Sequence, residues 1–252
     1  MQVSFALTLL LCSVVGTQAS QCSYPPSLWC SSYEVADACK VTEQCRRTVW
    51  TPVRGSAPLV NFTLYYESLC PDCRNFITTQ LYPAFTAVGS IVNLTLVPYG
   101  NAEEKKVGDK WVFQCQHGEE ECAENLLDTC LLKIVNDINK AFPFIHCMEE
   151  GPERSKAAFR ECAKKFPSIP VSQIEACANS SQGNQWEHEM AMKTDALNPQ
   201  HQYVPWVTLN GVHNEKIQNE ATTNLIKLLC DTYTGTKPSR CQQRQATYCT
   251  RK

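Results

Sequence analysis

Sixteen cysteines in 252 residues constrain this chain more than any other feature. So many thiols persist as a scaffold only where disulfides are stable, in secreted, luminal or lysosomal space and not in the reducing cytosol. Their spacing is uneven. Cys12 stands alone, and Cys22, Cys30, Cys39 and Cys45 form a group of four. Cys70 and Cys73 make the only C-x-x-C. Cys115, Cys122, Cys130, Cys147, Cys162, Cys177 and Cys230 make seven, and Cys241 and Cys249 end the series. The first and last groups are even and can pair internally. The central seven are odd, so one stays free, pairs with a terminal group, or links two chains as a homodimer.

The N-terminus points to the same compartment. Val3 to Val15 is an almost unbroken apolar run, shorter than the roughly 20 residues that span a bilayer. Gly16-Thr17-Gln18-Ala19 follows, so residues 1–19 read as a signal peptide cut after Ala19, although no Lys or Arg precedes the run. No second run approaches membrane length, and no membrane span is expected. Lys and Arg number 23 against 25 Asp and Glu, a balance without the basic footprint of a nucleic-acid binder. With 43% hydrophobic and 19% charged residues, disorder is excluded as the main state, and the length allows one or two domains.

Thr51 to Pro58 reads as a linker with two prolines, a glycine and no periodicity. In Leu59–Tyr66, Val60, Phe62 and Leu64 alternate with polar residues, the period of a strand. Beyond the C-x-x-C, the residues Ile77, Leu81, Ala84, Phe85 and Val88 share one helical face. Pro83 should kink that helix about one turn earlier, near Thr79. Ile91–Val97 is a second strand, so strand, helix and strand form a βαβ unit with a parallel pair. From Cys115 to about Met192 the pattern is helical and cysteine-rich. A short strand then follows Val204-Pro205, and Asn210-Gly211 signals a type I′ hairpin. A last helix covers about Glu220–Leu229. The order βαβ, helical insertion (about 115–195), ββα is that of an α/β, thioredoxin-like domain over 58–231. Residues 20–57 precede it, and 232–252 form a tail.

The C-x-x-C lies between a strand's end and a helix's start. Zinc needs four ligands, usually a second C-x-x-C or a close His pair, and His117, His146, His188, His201 and His213 show no such spacing. No metal is expected. Bridging of each cysteine elsewhere is the structural alternative. A redox dithiol suits the placement better, because a helix N-terminus stabilises a Cys70 thiolate. Cys73, one turn on, can attack the mixed disulfide. Pro71 fits the first helical position. Asp72 should raise the pKa of Cys70 and tilt the site toward reduction, with Arg74 cancelling part of that effect. Thioredoxin-like proteins place a cis-proline facing the dithiol, and the resemblance in element order implies that role for Pro205, with the Val204 backbone pairing with substrate. The sequons at Asn61, Asn93 and Asn179 are glycan candidates. Asn93 is expected on an edge strand, and Asn61 near the exposed start of a central one.

At Cys115 the chain reads C-Q-H-G-E-E-E-C-A-E-N-L-L-D-T-C. This resembles the signature of the gamma-interferon-inducible lysosomal thiol reductase family, matching at Cys115, Gln116, His117, Gly118, Glu121, Cys122, Asn125 and Cys130. Val97 to Ala102 and Tyr203 to Val207 also look like family segments. The N-terminal four cysteines resemble a saposin A-type motif. The resemblance implies a thioredoxin-like enzyme of the endosomal or lysosomal lumen, with part of the precursor secreted. It implies reduction of protein disulfides at acidic pH by Cys70 and Cys73, which aids antigen processing for MHC class II presentation. It also implies no cofactor beyond an external thiol reductant, glycans read by the mannose-6-phosphate sorting receptor, and a precursor trimmed at both ends. His117 is assigned a structural role in a disulfide-bonded loop. Two other readings remain: a luminal disulfide oxidase or isomerase, and a disulfide-rich binding protein without catalysis.

Overall fold

The computed structural model describes residues 57–151 and 156–242 and, ahead of them, 22, 24–31, 33–45 and 49. The expected signal peptide over 1–19, most of the expected linker, Cys12 and Cys249 lie outside the described residues. The first cysteine group pairs within itself, as Cys22–Cys39 and Cys30–Cys45, around two short helices, α1 (Tyr33–Ala38) and α2 (Thr42–Cys45).

The alternation beyond the linker makes β1 (Val60–Tyr66), with Val60, Phe62, Leu64 and Tyr66 buried. The chain then enters α3 (Pro71–Phe76), a π-helical segment (Ile77–Leu81) and α4 (Tyr82–Val88). Pro83 explains the π segment. Its nitrogen has no proton to give the Thr79 carbonyl, so the ladder slips by one and the Tyr82 N–H reaches Ile77. The slip spans Thr79, the position where a kink was expected.

β2 (Val92–Pro98) lies parallel to β1, with Val60 opposite Val92 and Asn61 opposite Asn93. The βαβ unit is therefore present as expected, and β2 is an edge strand of the sheet.

A hairpin that the sequence did not announce comes next, β3 (Glu103–Val107) and β4 (Lys110–Gln114). Five helices follow: α5 (Glu119–Val135), α6 (Ile138–Glu150), α7 (Lys156–Lys165), α8 (Val171–Ala178) and α9 (Ser181–Asp195). Cys115–Cys122 closes the turn into α5. Cys130–Cys177 ties α5 to α8, and Cys147–Cys162 ties α6 to α7. These last two close loops of 47 and 15 residues, contributing about 4 and about 3 kcal/mol through the unfolded chain. Gly183 is needed where α9 passes the first of them. A Cβ there would stand 2.1 Å from the Cys177 carbonyl oxygen.

The chain returns as β5 (Trp206–Leu209), antiparallel to β1, giving the order β2-β1-β5. Asn210 and Gly211 both have positive φ, 51° and 79°, as a type I′ turn requires. The expected second strand of that hairpin is missing. Only Val212 bridges back to Leu209, because His213 and the cap residue Asn214 lead straight into α10 (Glu215–Thr232). The ββα half is thus a βα half. The last helix starts five residues earlier than expected and is interrupted at Asn224.

The odd core cysteine finds its partner inside the chain. Cys230 pairs with Cys241 on α11 (Ser239–Gln242), so Cys241 does not pair within the tail. Cys230 is therefore not the cysteine that links two chains. Tyr233 is buried as well, so packed structure continues past the boundary expected at 231.

Candidate active site: a dithiol at a helix N-terminus

Cys70 and Cys73 are the cysteines left unbridged among the described residues. β1 delivers them. It ends at Tyr66, the chain turns over Glu67, Ser68 and Leu69, and Cys70 occupies the N-cap of α3 in extended backbone geometry. Pro71 takes the first helical position, where a missing N–H costs nothing. Pro71 and Asp72 are exposed, Cys70 is 8% accessible and Cys73 is fully buried.

The two thiols are electrostatically unlike. A hydrogen bond from the Cys73 thiol is the main influence on Cys70. Burial opposes it, the backbone N–H groups of Cys73 and Asp72 add to it, and the Asp72 charge opposes it in turn. The balance lowers Cys70 to about 6. Burial, and then Cys70 itself, push Cys73 well above the ordinary thiol range. The expected opposition from Asp72 is present but does not decide the outcome. Its charge has the anticipated sign, but three donors outweigh it, so the net shift of Cys70 is downward. Arg74 does not face Asp72 either. Its Nη2 donates to the Glu149 and Gly151 carbonyls at 2.8 and 2.6 Å, tying α3 to the end of α6.

The Val204–Pro205 bond is cis, and the Val204 carbonyl oxygen lies 4.0 Å from the Cys70 sulfur. The backbone expected to pair with substrate therefore stands beside the expected nucleophile. Sequence reasoning missed what holds it there. Gln218 of α10, buried, donates to the Pro205 carbonyl at 2.9 Å and accepts from the Val207 N–H at 3.1 Å. A groove of about 390 Å³ runs from Asp72 and Phe76 past Val204 and Pro205 to Thr222.

The remaining expected residues fall elsewhere. Asn61, Asn93 and Asn179 are exposed. Asn61 and Asn93 sit at the start of their strands, the end opposite Cys70, and the Asn93 amide donates to Asn61 at 2.8 Å. The seven core cysteines are all in the disulfides given above. Sequence reasoning also missed Glu67, which is fully buried and shares its surroundings with His117 and Glu121. Their ligand-capable atoms lie within 4.8 Å of one another. Among the described residues, no helix is long and apolar enough to cross a membrane.

Strand, C-x-x-C helix, parallel strand, helical insertion, cis-proline strand and helix, with two free thiols of opposite character, define a thiol–disulfide oxidoreductase of thioredoxin-like fold. The family model for gamma interferon inducible lysosomal thiol reductase matches residues 61–166, and a saposin A-type domain matches 19–51. The gamma-interferon-inducible lysosomal thiol reductase of Carassius auratus is 43% identical over 255 residues, 97% of this chain and 98% of that protein. The Mus musculus protein of the same name is 41% identical over 217 residues, 85% of this chain and 84% of that one. This chain belongs to the gamma-interferon-inducible lysosomal thiol reductase family. Among solved structures, Bacillus subtilis BdbD (oxidised) is 14% identical and Chlamydia trachomatis DsbA 15%. They cover 68% of this chain each and 89% and 88% of their own, with TM-scores of 0.48 and 0.45.

Proposed function

We propose that this protein reduces disulfide bonds of protein substrates in an acidic endosomal or lysosomal lumen, with Cys70 as nucleophile and Cys73 as resolving thiol. The Cys70 thiolate attacks one sulfur of the substrate disulfide, forming a mixed disulfide and expelling the other sulfur as a thiolate that takes a proton. Cys73 then loses its proton and attacks the Cys70 sulfur. The second substrate thiol leaves, and a Cys70–Cys73 disulfide remains. An external thiol returns it to the dithiol, and no other cofactor is required. The observation that carries this reading is the asymmetry of the pair, a low-pKa thiol that keeps a little exposed surface beside a fully buried high-pKa one. The family's name supports the lysosomal setting, and the reading extends to unfolding of antigens for MHC class II presentation. Glycans at Asn61, Asn93 and Asn179 would carry the mannose-6-phosphate sorting mark. Trimming at both ends would leave residues through Cys241 attached by Cys230–Cys241.

The test is reduction of a denatured disulfide-bonded protein at about pH 5 and about pH 7. Wild type should turn over, and Cys70→Ser should lose activity by roughly a hundredfold or more. Undiminished turnover in Cys70→Ser would overturn the assignment.

One observation favours a second reading, that of an oxidase or isomerase. A Cys70 near 6 stabilises the reduced dithiol at neutral pH, which is the property of an oxidant. Below about pH 6 the thiol is protonated and that stabilisation lapses, so an acid lumen favours the reductase direction. Equilibration with glutathione at both pH values separates the two readings. With Cys70 near 6 the difference from glutathione narrows as the pH falls through 6 on either reading; a dithiol more reducing than glutathione at about pH 5 identifies a reductase, and one still clearly more oxidising there identifies an oxidase.

A further inference from the structure

Two segments that the mechanism leaves without a task converge on one buried carboxyl beside the dithiol. Glu67 lies three residues before Cys70 and has no accessible surface. From one side comes the loop after β2. The Asn101 N–H donates to Glu67 Oε1 at 2.5 Å, and Gly100, at φ 61°, passes so close that a Cβ there would meet Glu67 Cγ at 2.3 Å. From the other side comes the turn that Cys115–Cys122 closes. His117 Nδ1 lies 2.6 Å from Glu121 Oε2 and 3.4 Å from Glu67 Oε2. Glu121 Oε1 also accepts the His117 N–H at 3.0 Å, and Asn101 donates to Gln116 at 2.7 Å. Glu67 Oε2 has no hydrogen-bond partner of its own. Glu67 and Glu121 are fully buried, whereas the His117 side chain is 33% exposed. The ring is thus the member of this trio that meets both water and the buried carboxyls.

We propose that His117 and Glu121 are positioning residues for the dithiol: the imidazole passes protons between solvent and Glu67, and the charge on Glu67 governs how readily Cys70 holds a thiolate. The charged groups that face Glu67 are Glu121 and His117 from the α5 turn and Cys70 and Cys73 from α3; the β2 loop supplies only the Asn101 N–H. Cys70 is faced by Cys73, Asp72 and Glu67, and by Glu149, which Arg74 accompanies. Burial raises Glu67 to about 7, with the Asn101 N–H and His117 opposing and the charges of Glu121 and Cys70 adding. Below that pH the carboxyl is neutral and does not oppose the Cys70 thiolate. Above it, a buried negative charge does. The family signature around Cys115 would then keep the nucleophile free of an opposing charge in acid. Neither the disulfide it contains nor a merely structural histidine requires that arrangement.

The proposal rests on Cys70 being the attacking thiol. Its test is the pH dependence of Cys70 alkylation in the full-length reduced protein, with a chelator present. Wild type should show two inflections, one from Cys70 and one from Glu67. Glu67→Gln should lose the upper inflection and keep the one near 6, where Glu67 is still neutral. His117→Gln should move the Glu67 inflection up and Glu121→Gln should move it down, each by roughly half a pH unit or more. Opposite shifts from two residues of one turn distinguish electrostatic coupling from loss of structure. Where a variant fails to fold, the wild-type protein suffices. The glutamate carboxyl resonances should show Glu67 titrating lower in the oxidised form, which has no thiolate, than in the reduced form. Superposable profiles for wild type and Glu67→Gln, or a Glu67 titration independent of redox state, would overturn the proposal. So would a stoichiometric divalent ion found by elemental analysis and traced to Glu67, His117 and Glu121. A wild type with both inflections that reduces no disulfide would instead overturn the reductase reading alone.

Discussion

At the residue scale, one helical turn separates two thiols of opposite behaviour. Cys70 gathers donors, and Cys73 is stripped of water. Iodoacetamide should therefore modify Cys70 with an inflection near 6 and leave Cys73 unmodified in the folded protein. Equal labelling of the two would contradict the asymmetry. Because the Asp72 charge still opposes the thiolate, Asp72→Asn should lower the Cys70 inflection further. A raised or unchanged value, read by thiolate absorbance, would remove Asp72 from the account. Cys70, Cys73 and Pro205 were legible in the sequence because their signals are local: a spacing, a placement between strand and helix, a proline before a strand. Glu67 was not legible as a site residue. A glutamate at a strand's end acquires its meaning only from Asn101, 34 positions away, and from His117 beyond it.

At the scale of elements, β1 carries the site on one end and the exposed Asn61 sequon on the other, and period-2 alternation was enough to find it. The β3–β4 hairpin escaped because neither strand buries a face, all of its strand residues being exposed or half-exposed. It is held from outside. Asn184 of α9 pairs with both backbone groups of Trp111, whose ring stacks on His188 at 3.8 Å, and His188 in turn meets Glu104 at 2.6 Å. The shortened second half escaped for a similar reason, since an Asn-Gly turn fixes a reversal and not a partner strand. Gln218 is the element-scale device with a function. Gln218→Leu leaves the Pro205 carbonyl and the Val207 N–H buried and unpaired, which should cost about 2–4 kcal/mol and loosen the strand that faces Cys70. Denaturant unfolding should show the loss, and disulfide reduction should weaken while the Cys70 inflection stays in place. A displaced inflection would mean that Gln218 acts on the thiol directly.

At the scale of the whole molecule, the disulfides and a set of buried acids point to one environment. Burial raises Glu67 to about 7 and Glu187 to about 8, and it pushes Asp128 and Glu149 well above the carboxylate range. Tyr66 donates to Asp128 at 2.7 Å and Thr129 to Glu187 at 2.6 Å, so these two acids keep a partner when neutral. A carboxyl whose folded pKa lies above its unfolded value binds more protons folded than unfolded. Its stabilisation is fully present below about 4.5 and is lost as pH rises through the folded value. For Glu67 this is on the order of 3 kcal/mol. Stability should therefore rise as pH falls from about 8 to about 5, and thermal unfolding across that range checks it; a maximum at or above pH 8 would contradict it. The cysteine series follows the same logic, most of it scaffold around one working pair. The central claim is the division of labour in that pair, and trapping tests it most directly. Cys73→Ser incubated with a denatured disulfide substrate should accumulate a mixed disulfide that peptide mass spectrometry locates at Cys70. A substrate linked through any other cysteine, or no trapped species at all, would contradict it.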